Sequence, residues 1–170
     1  MKRLLAVALA GAAVLATAPV QAGTSVAVAV QSLNLEVGNG DASPLNLGVS
    51  LKHDLSENVY VGGQLAISLD DDKGAEISQL FGADVGLQHQ FSHDFGVYGF
   101  VGLGTGKVDV GAASGDGISV RYGAGAMLTV GGNGLLEFGW ASLFDDDMDF
   151  SGVDVPVKIA GPHVGLGFRF

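Results

Sequence analysis

Cysteine is absent from the 170 residues, which removes disulfide frameworks and Cys-ligated zinc or iron–sulfur centres from consideration. Basic side chains are scarce. Only 8 Lys and Arg stand against 18 Asp and Glu, a formal net charge of −10, whereas a nucleic-acid binder needs positive charge to displace counterions from phosphates. A disordered acidic tail is excluded from the other side, because it would lack apolar residues and this chain is 48% hydrophobic. Past the amino-terminal segment, no stretch approaches the about 20 apolar residues that a spanning helix requires, so a helical membrane protein is excluded too. What the chain has in plenty is glycine, 28 residues of it, spread through one domain's length of sequence.

Lys2 and Arg3 carry the only charges before Glu36, and the run 4–16 that follows is wholly apolar or small. Pro19 breaks that run, and Val20-Gln21-Ala22 places small residues three and one positions before Gly23. This is the pattern of a cleaved secretory signal, so the sequence predicts a signal over 1–22 and one domain over 23–170. The competing reading, an uncleaved anchor, needs a longer apolar stretch than Pro19 allows.

From residue 25 onward the apolar residues recur with period 2, the mark of strands. Eight such segments are expected, at 25–37, 45–52, 59–69, 81–91, 97–105, 118–130, 136–141 and 163–170. The fourth is typical: Phe81, Ala83, Val85 and Leu87 alternate with Gly82, Asp84, Gly86 and Gln88. In the first, Val26, Val28 and Val30 lie opposite Leu33, Leu35 and Val37, and this change of face near Gln31 implies a bulge. The fifth leaves its facing open, with Val97, Val101 and Leu103 against Tyr98 and Phe100. Between segments, 53–58, 92–94 and 131–134 read as short turns, while 70–76, 107–117 and 145–154 read as longer, acidic or Gly-rich loops.

The less apolar face is mostly Gly, Ser, Gln and Thr with single charges, whereas the other is aliphatic. A soluble lipocalin-like barrel would show the inverse, polar outside and apolar inside. Only a closed barrel lets β-structure span a bilayer, since every backbone polar group must be paired where water is absent. The expected fold is therefore all-β, an eight-stranded antiparallel up-and-down transmembrane β-barrel of the smallest bacterial outer-membrane size. Short turns belong to the periplasm and long loops to the outside in such barrels. Both termini are then periplasmic, most acidic residues lie in outer loops, and Phe91, Tyr122, Trp140, Phe144, Phe168 and Phe170 fall where interfacial girdles sit.

The last residues, with Val164, Leu166 and Phe168 alternating toward a terminal Phe170, resemble the carboxy-terminal signal read by the outer-membrane assembly machinery. More narrowly, Leu45-Asn46-Leu47-Gly48, Asp70-Asp71-Asp72-Lys73-Gly74 and Gly161-Pro162-His163-Val164-Gly165 resemble the YfaZ-type family of barrels. That resemblance implies an outer-membrane protein and carries no activity with it.

Six inward charges, Lys52, Asp84, Arg121, Glu137, His163 and Arg169, are expected to form a polar network inside the barrel, because an unpaired charge there is costly. Glu137 is expected to face His163. Abundant inward glycine leaves room for water, and the alternative role for the network is a proton or ion path. Two Asp triplets, Asp70, Asp71 and Asp72 and Asp145, Asp146 and Asp147, could share a divalent cation or form a solvated acidic rim. Catalysis finds no support: no Gly-x-Ser-x-Gly elbow occurs, and His163 is followed two residues on by Gly165 where a lipid deacylase would place Ser. No cofactor is implied. The expected protein is a monomer with a structural or surface-interaction role through acidic outer loops, the alternative being a narrow channel for small or cationic solutes. Its partners are outer-membrane lipid and lipopolysaccharide, the export and barrel-assembly machineries during biogenesis, and no nucleic acid.

Overall fold

The computed structural model describes residues 23–170, so the signal expected over 1–22 lies outside the described residues. Ten strands follow one another: β1 Thr24–Ser32, β2 Asn34–Val37, β3 Gly40–Ala42, β4 Leu45–Asp54, β5 Val59–Ser68, β6 Ala75–Gln90, β7 Phe95–Val110, β8 Ala113–Val130, β9 Gly134–Asp149 and β10 Asp154–Arg169. Neighbours pair in the order β1-β4-β5-β6-β7-β8-β9-β10, and β10 pairs back onto β1. The antiparallel ladder is thus closed into a barrel without a free edge at its middle. β2 continues β1 along β10: Gln31 lies opposite His163 and Asn34 opposite Ala160 in unbroken register. Together they make one stave of an eight-stave wall.

At one end the Gly23 N–H donates to the Phe170 carbonyl at 2.8 Å, which brings the ends of the described chain together. The connections at that end are short, and the β8–β9 turn is built on Gly131 and Gly132 at φ 63° and 91°, a region that glycine enters without strain. At the opposite end two of the three expected long loops are absent, and the third is confined to 69–74. β7 and β8 run through 107–117 and turn only at 111–112, β9 and β10 run through most of 145–154, and β6 begins at Ala75. The reason is that alternation persists there: Ala75 and Ile77, Val108 and Val110, and Val157 and Ile159 stay apolar at every second place, behind Gly and Asp neighbours that resemble loop residues.

Around the barrel's middle the outward side chains are mostly apolar, some bare, from 42% exposed for Val28 to 68% for Leu166, and others, such as Val49, Leu65 and Val97, half-buried. So continuous an apolar belt on a closed β-barrel is what lipid contact requires. Val97, Val101 and Leu103 belong to it and Tyr98 and Phe100 point inward, which resolves the fifth segment. The bulge expected near Gln31 does not exist. Ala27, Ala29, Gln31, Leu33 and Leu35 are buried in one continuous alternation, and what changes along the stave is the lining of the interior. A real irregularity lies in β9, where Ile159 pairs with Phe144 and Ala160 with Ser142. The extra residue, Leu143, lets Leu143 and Phe144 both stay buried. Phe144 is therefore no girdle residue.

Toward the end opposite the termini, the strands reverse their polarity. Leu33, Leu35, Ile77, Val108, Phe144, Met148 and Ile159 form a buried apolar core inside, while Glu36, Lys107, Asp116, Asp145, Asp147 and Lys158 are exposed outside. This is the arrangement of a water-surrounded sheet sandwich, continued from a lipid-surrounded barrel in the same strands. The β8–β9 ladder lapses between Tyr122↔Ser142 and Asp116↔Asp149. There the Asp145 N–H donates to the Ser119 hydroxyl at 2.9 Å instead.

Candidate functional site

The barrel's middle brings the inward charges together in two pairs. Lys52 Nζ, from β4, lies 2.5 Å from Glu137 Oε1 of β9 and 3.9 Å from the centroid of the Tyr98 ring. Arg121 Nε, from β8, lies 2.8 Å from Asp84 Oδ1 of β6, and its Nη2 donates to Gln64 Oε1 at 2.7 Å. Both pairs join strands that are not neighbours in the wall, so they cross the lumen. Arg121 is 2% and Glu137 5% exposed. Charges so far from water persist only when matched.

His163 does not meet Glu137. Gly139 is its partner on β9, with Glu137 opposite Gly165, and His163 Nε2 instead lies 2.8 Å from the Tyr98 hydroxyl. Arg169 sits apart from both pairs, at the rim beside the termini. There it pairs with Asp54, whose other oxygen accepts a hydrogen bond from Gln88 Nε2 at 2.9 Å. Sequence reading missed Asp54, Tyr60, Tyr98, Gln31 and Gln64. Tyr60 and Gln64 occupy inward positions of the alternation but carry no charge to single them out, and Gln31 falls where the alternation suggests a change of face.

Inward glycine serves a purpose other than leaving space for water. A β-carbon on Gly82 would overlap the Arg121 guanidinium, and one on Gly86 would overlap the Tyr60 ring. Gly123 and Gly125 likewise receive Phe100 and Tyr98. Arg121, Tyr60, Phe100 and Tyr98 thus each lie over a glycine of a nearby strand, and the wall closes around them.

The polar layer lies between two apolar ones. Tyr60, Tyr98, Met127 and Leu135 pack together on the side of the termini, and the apolar core of the extended strand ends covers the other side. Between them a cavity of about 40 Å³ is lined by Gln31, Ser50, Gln64, Arg121 and Glu137, among others. Eight strands leave an interior that side chains can fill, and this chamber is a space left among them.

The two Asp triplets have different surroundings. Asp70 Oδ1 accepts the Leu45 N–H and Asp72 Oδ2 the Ser43 N–H, each at 2.8 Å, and Lys73 Nζ meets Asp41 Oδ2 at 2.9 Å. That ammonium holds the Asp41 carboxyl below its usual range, and Asp41 in turn raises Lys73. These bonds span the place where β3 and β6 have no ladder between them, so the loop acts as a strap. Asp145, Asp146 and Asp147 lie on β9 rather than in a loop. Among the described residues no three His, Asp or Glu side chains are grouped to hold a metal ion.

Residues 4–170 match the family described as outer membrane protein beta-barrel domain. No curated protein matches the chain. Among solved structures, Ail, the attachment invasion locus protein of Yersinia pestis, is similar at 17% identity and a TM-score of 0.60, over 88% of this chain and 100% of that one. Neisserial surface protein A matches at 12% identity and a TM-score of 0.63, over 87% and 97%. The N-terminal β-barrel domain of Pseudomonas aeruginosa OprF matches at 15% identity and a TM-score of 0.55, over 88% and 100%. At these identities the likeness is one of fold.

Proposed function

The chain belongs to the outer membrane protein beta-barrel domain family, and we propose that this outer-membrane barrel is a closed support for an acidic surface held outside the cell. The observation that carries this reading is the polarity reversal of the strand ends. Their apolar core makes the projecting part a packed cap, and their charges face water: Glu36, Asp116, Asp145, Asp147, Asp149 and Asp154 against Lys107 and Lys158. A fixed surface of one dominant sign attracts cationic partners and repels anionic ones. With the cap outside, the joined termini and short turns lie in the periplasm, as in other barrels of this kind.

Two of the similar structures are, by their names, an attachment protein and a surface protein, which accords with a surface role. The narrower YfaZ-type resemblance belongs to this proposal and adds no activity. Against a narrow channel stand two apolar layers and two ion pairs across the lumen, and we propose no catalytic function.

The test has two parts. Purified protein in planar bilayers is expected to be silent, and intact protein in lipid nanodiscs is expected to bind a lysine-rich probe peptide in a salt-sensitive way. Replacing Asp145, Asp147 and Asp149 together with Asn should weaken that binding at least tenfold while the barrel stays folded. Reproducible conductance steps would favour the channel, and unchanged peptide binding would remove the acidic surface from the function.

A further inference from the structure

Gly23, just before β1, is held from both sides. Its N–H donates to the Phe170 carbonyl, just past β10, at 2.8 Å, and its own carbonyl accepts the Asp54 N–H of β4 at 2.7 Å. The Phe170 N–H in turn donates to the Thr24 carbonyl at 2.8 Å. These bonds lie where the last strand closes onto the first, so Gly23 helps to shut the barrel.

The Asp54 side chain lies against the same residue. A β-carbon on Gly23 would come within 3.1 Å of Asp54 Cβ and 3.3 Å of its Oδ2, and glycine lets the carboxyl settle there undisturbed. A carboxylate offers about four lone-pair sites. Gln88 Nε2 uses one on Oδ1 and Arg169 Nη2 one on Oδ2, while the side chain is largely withdrawn from water, 18% exposed. Acceptor capacity is left over on a partly buried charge, and Oδ2 is the oxygen beside Gly23.

The chain supplies a matching donor when it begins at this residue. Cleavage of the expected signal hydrolyses the Ala22–Gly23 peptide bond: one water is consumed, the released segment keeps a carboxylate, and Gly23 acquires an ammonium. A peptide nitrogen has a single hydrogen, already directed at Phe170, whereas an ammonium has three and a positive charge. We propose that the Gly23 α-ammonium created by signal removal is a third partner of Asp54, an ion-pair latch that fastens the start of β1 between β4 and β10. The proposal rests on the cleavage point read from residues 20–22. Processing then tightens the closing seam of the barrel as well as releasing the chain.

Chains beginning at Gly23, with the α-amine free or acetylated, test this when folded in detergent and heated at pH 6 and pH 10.5. The charged and titratable groups around the amine are Asp54 and His53 of β4 and Arg169 of β10, and both chains carry them at each pH. An α-amine ordinarily titrates at about 7.7–8.0, and pairing with a carboxylate raises that value. The latch is therefore complete below the ordinary value and is lost as pH rises through the raised one. At pH 6 the free-amine chain should unfold about 2–4 °C above the acetylated one. At pH 10.5 the difference should close, and in Asp54→Asn it should be absent at both. Equal unfolding temperatures at pH 6 would overturn the proposal. So would a difference that survives pH 10.5 or Asp54→Asn, because it would then come from the bulk of the acetyl group. Should Asp54→Asn not fold, the pH comparison on the unsubstituted chains decides alone. The mass of the protein taken from outer membranes should correspond to a chain starting at Gly23, and any other start would also overturn it.

Discussion

Arg121 occupies the volume that a side chain at Gly82 would need. The two residues lie on β8 and β6 with β7 between them, and the guanidinium crosses over the glycine to reach Asp84 on the same strand. Gly82→Ala should therefore displace the arginine and destabilise the barrel by about 1–3 kcal/mol, the usual cost of overpacking. Gly99→Ala is the control, because a β-carbon there meets nothing closer than 3.6 Å. Heat-dependent mobility on a denaturing gel separates folded from unfolded barrel and measures both.

The Lys52–Glu137 pair should behave as a buried ion pair. Removing one partner, as in Glu137→Leu, strands the Lys52 ammonium in the lumen and should cost about 3–5 kcal/mol. Replacing both, with Lys52→Met and Glu137→Leu, should recover most of that loss. Equal unfolding temperatures for the single and double variants would mean that the two charges are solvated independently.

Phe144→Ala tests whether the projecting strands are a packed cap. Truncating a buried Phe commonly costs about 3–5 kcal/mol, and here the loss falls on the cap. Proteinase K added to intact cells should then cut within 107–117 or 145–154, where it spares the unaltered protein, while the membrane-embedded portion keeps its heat-dependent gel mobility. A variant as resistant as the parent would argue against a shared apolar core at that level.

Asp72→Ala should release the Ser43 N–H and speed hydrogen exchange at residues 43–45. The Asp41–Lys73 part of the strap has a sign fixed by its titration. Asp41, held below its ordinary 3.8, contributes above that value and loses its contribution as pH falls through the lowered one. Lys73, raised above 10.5, contributes below 10.5 and loses its contribution as pH rises through the raised value. Protection at the strap, measured against the intrinsic exchange rate at each pH, should thus be greatest between these limits, with a small amplitude because both groups are exposed. Calcium should leave the unfolding temperature unchanged if the carboxylates of Asp70 and Asp72 are committed to backbone amides. A calcium-dependent rise, lost on changing them to Asn, would restore the cation reading.

Period-2 alternation was enough to read the barrel, because lipid on one face and packed interior on the other constrain every second residue of β4 to β10. The extended strand ends were misread for a physical reason. Beyond the bilayer the wet face turns outward, so Asp145 and Asp147 sit at outward positions that are aliphatic lower in the wall, and the segment resembles a loop. Charges inside the barrel were recognisable by their parity. Their pairing was not, since Lys52 and Glu137 are 85 residues apart and meet across the lumen, a relation no local pattern encodes. Tyr98 and Phe100 were ambiguous because aromatic side chains suit a lipid interface as well as a glycine-backed interior.

β9 carries two opposite solvation codes in one strand, and the change between them, at Ser142 to Phe144, acts as a waterline. Below it Phe138 and Trp140 face outward, 43% and 45% exposed; above it Asp145 and Asp147 do. A strand advances about 3.4 Å per residue, so sinking the barrel by one outward position would carry an aspartate into hydrocarbon, and raising it by one would lift aromatic surface into water. Both displacements are unfavourable, and the same reversal recurs around the wall. The molecule's draught in the bilayer is therefore written into its strands, and the same reversal sets how far the acidic cap stands beyond the bilayer.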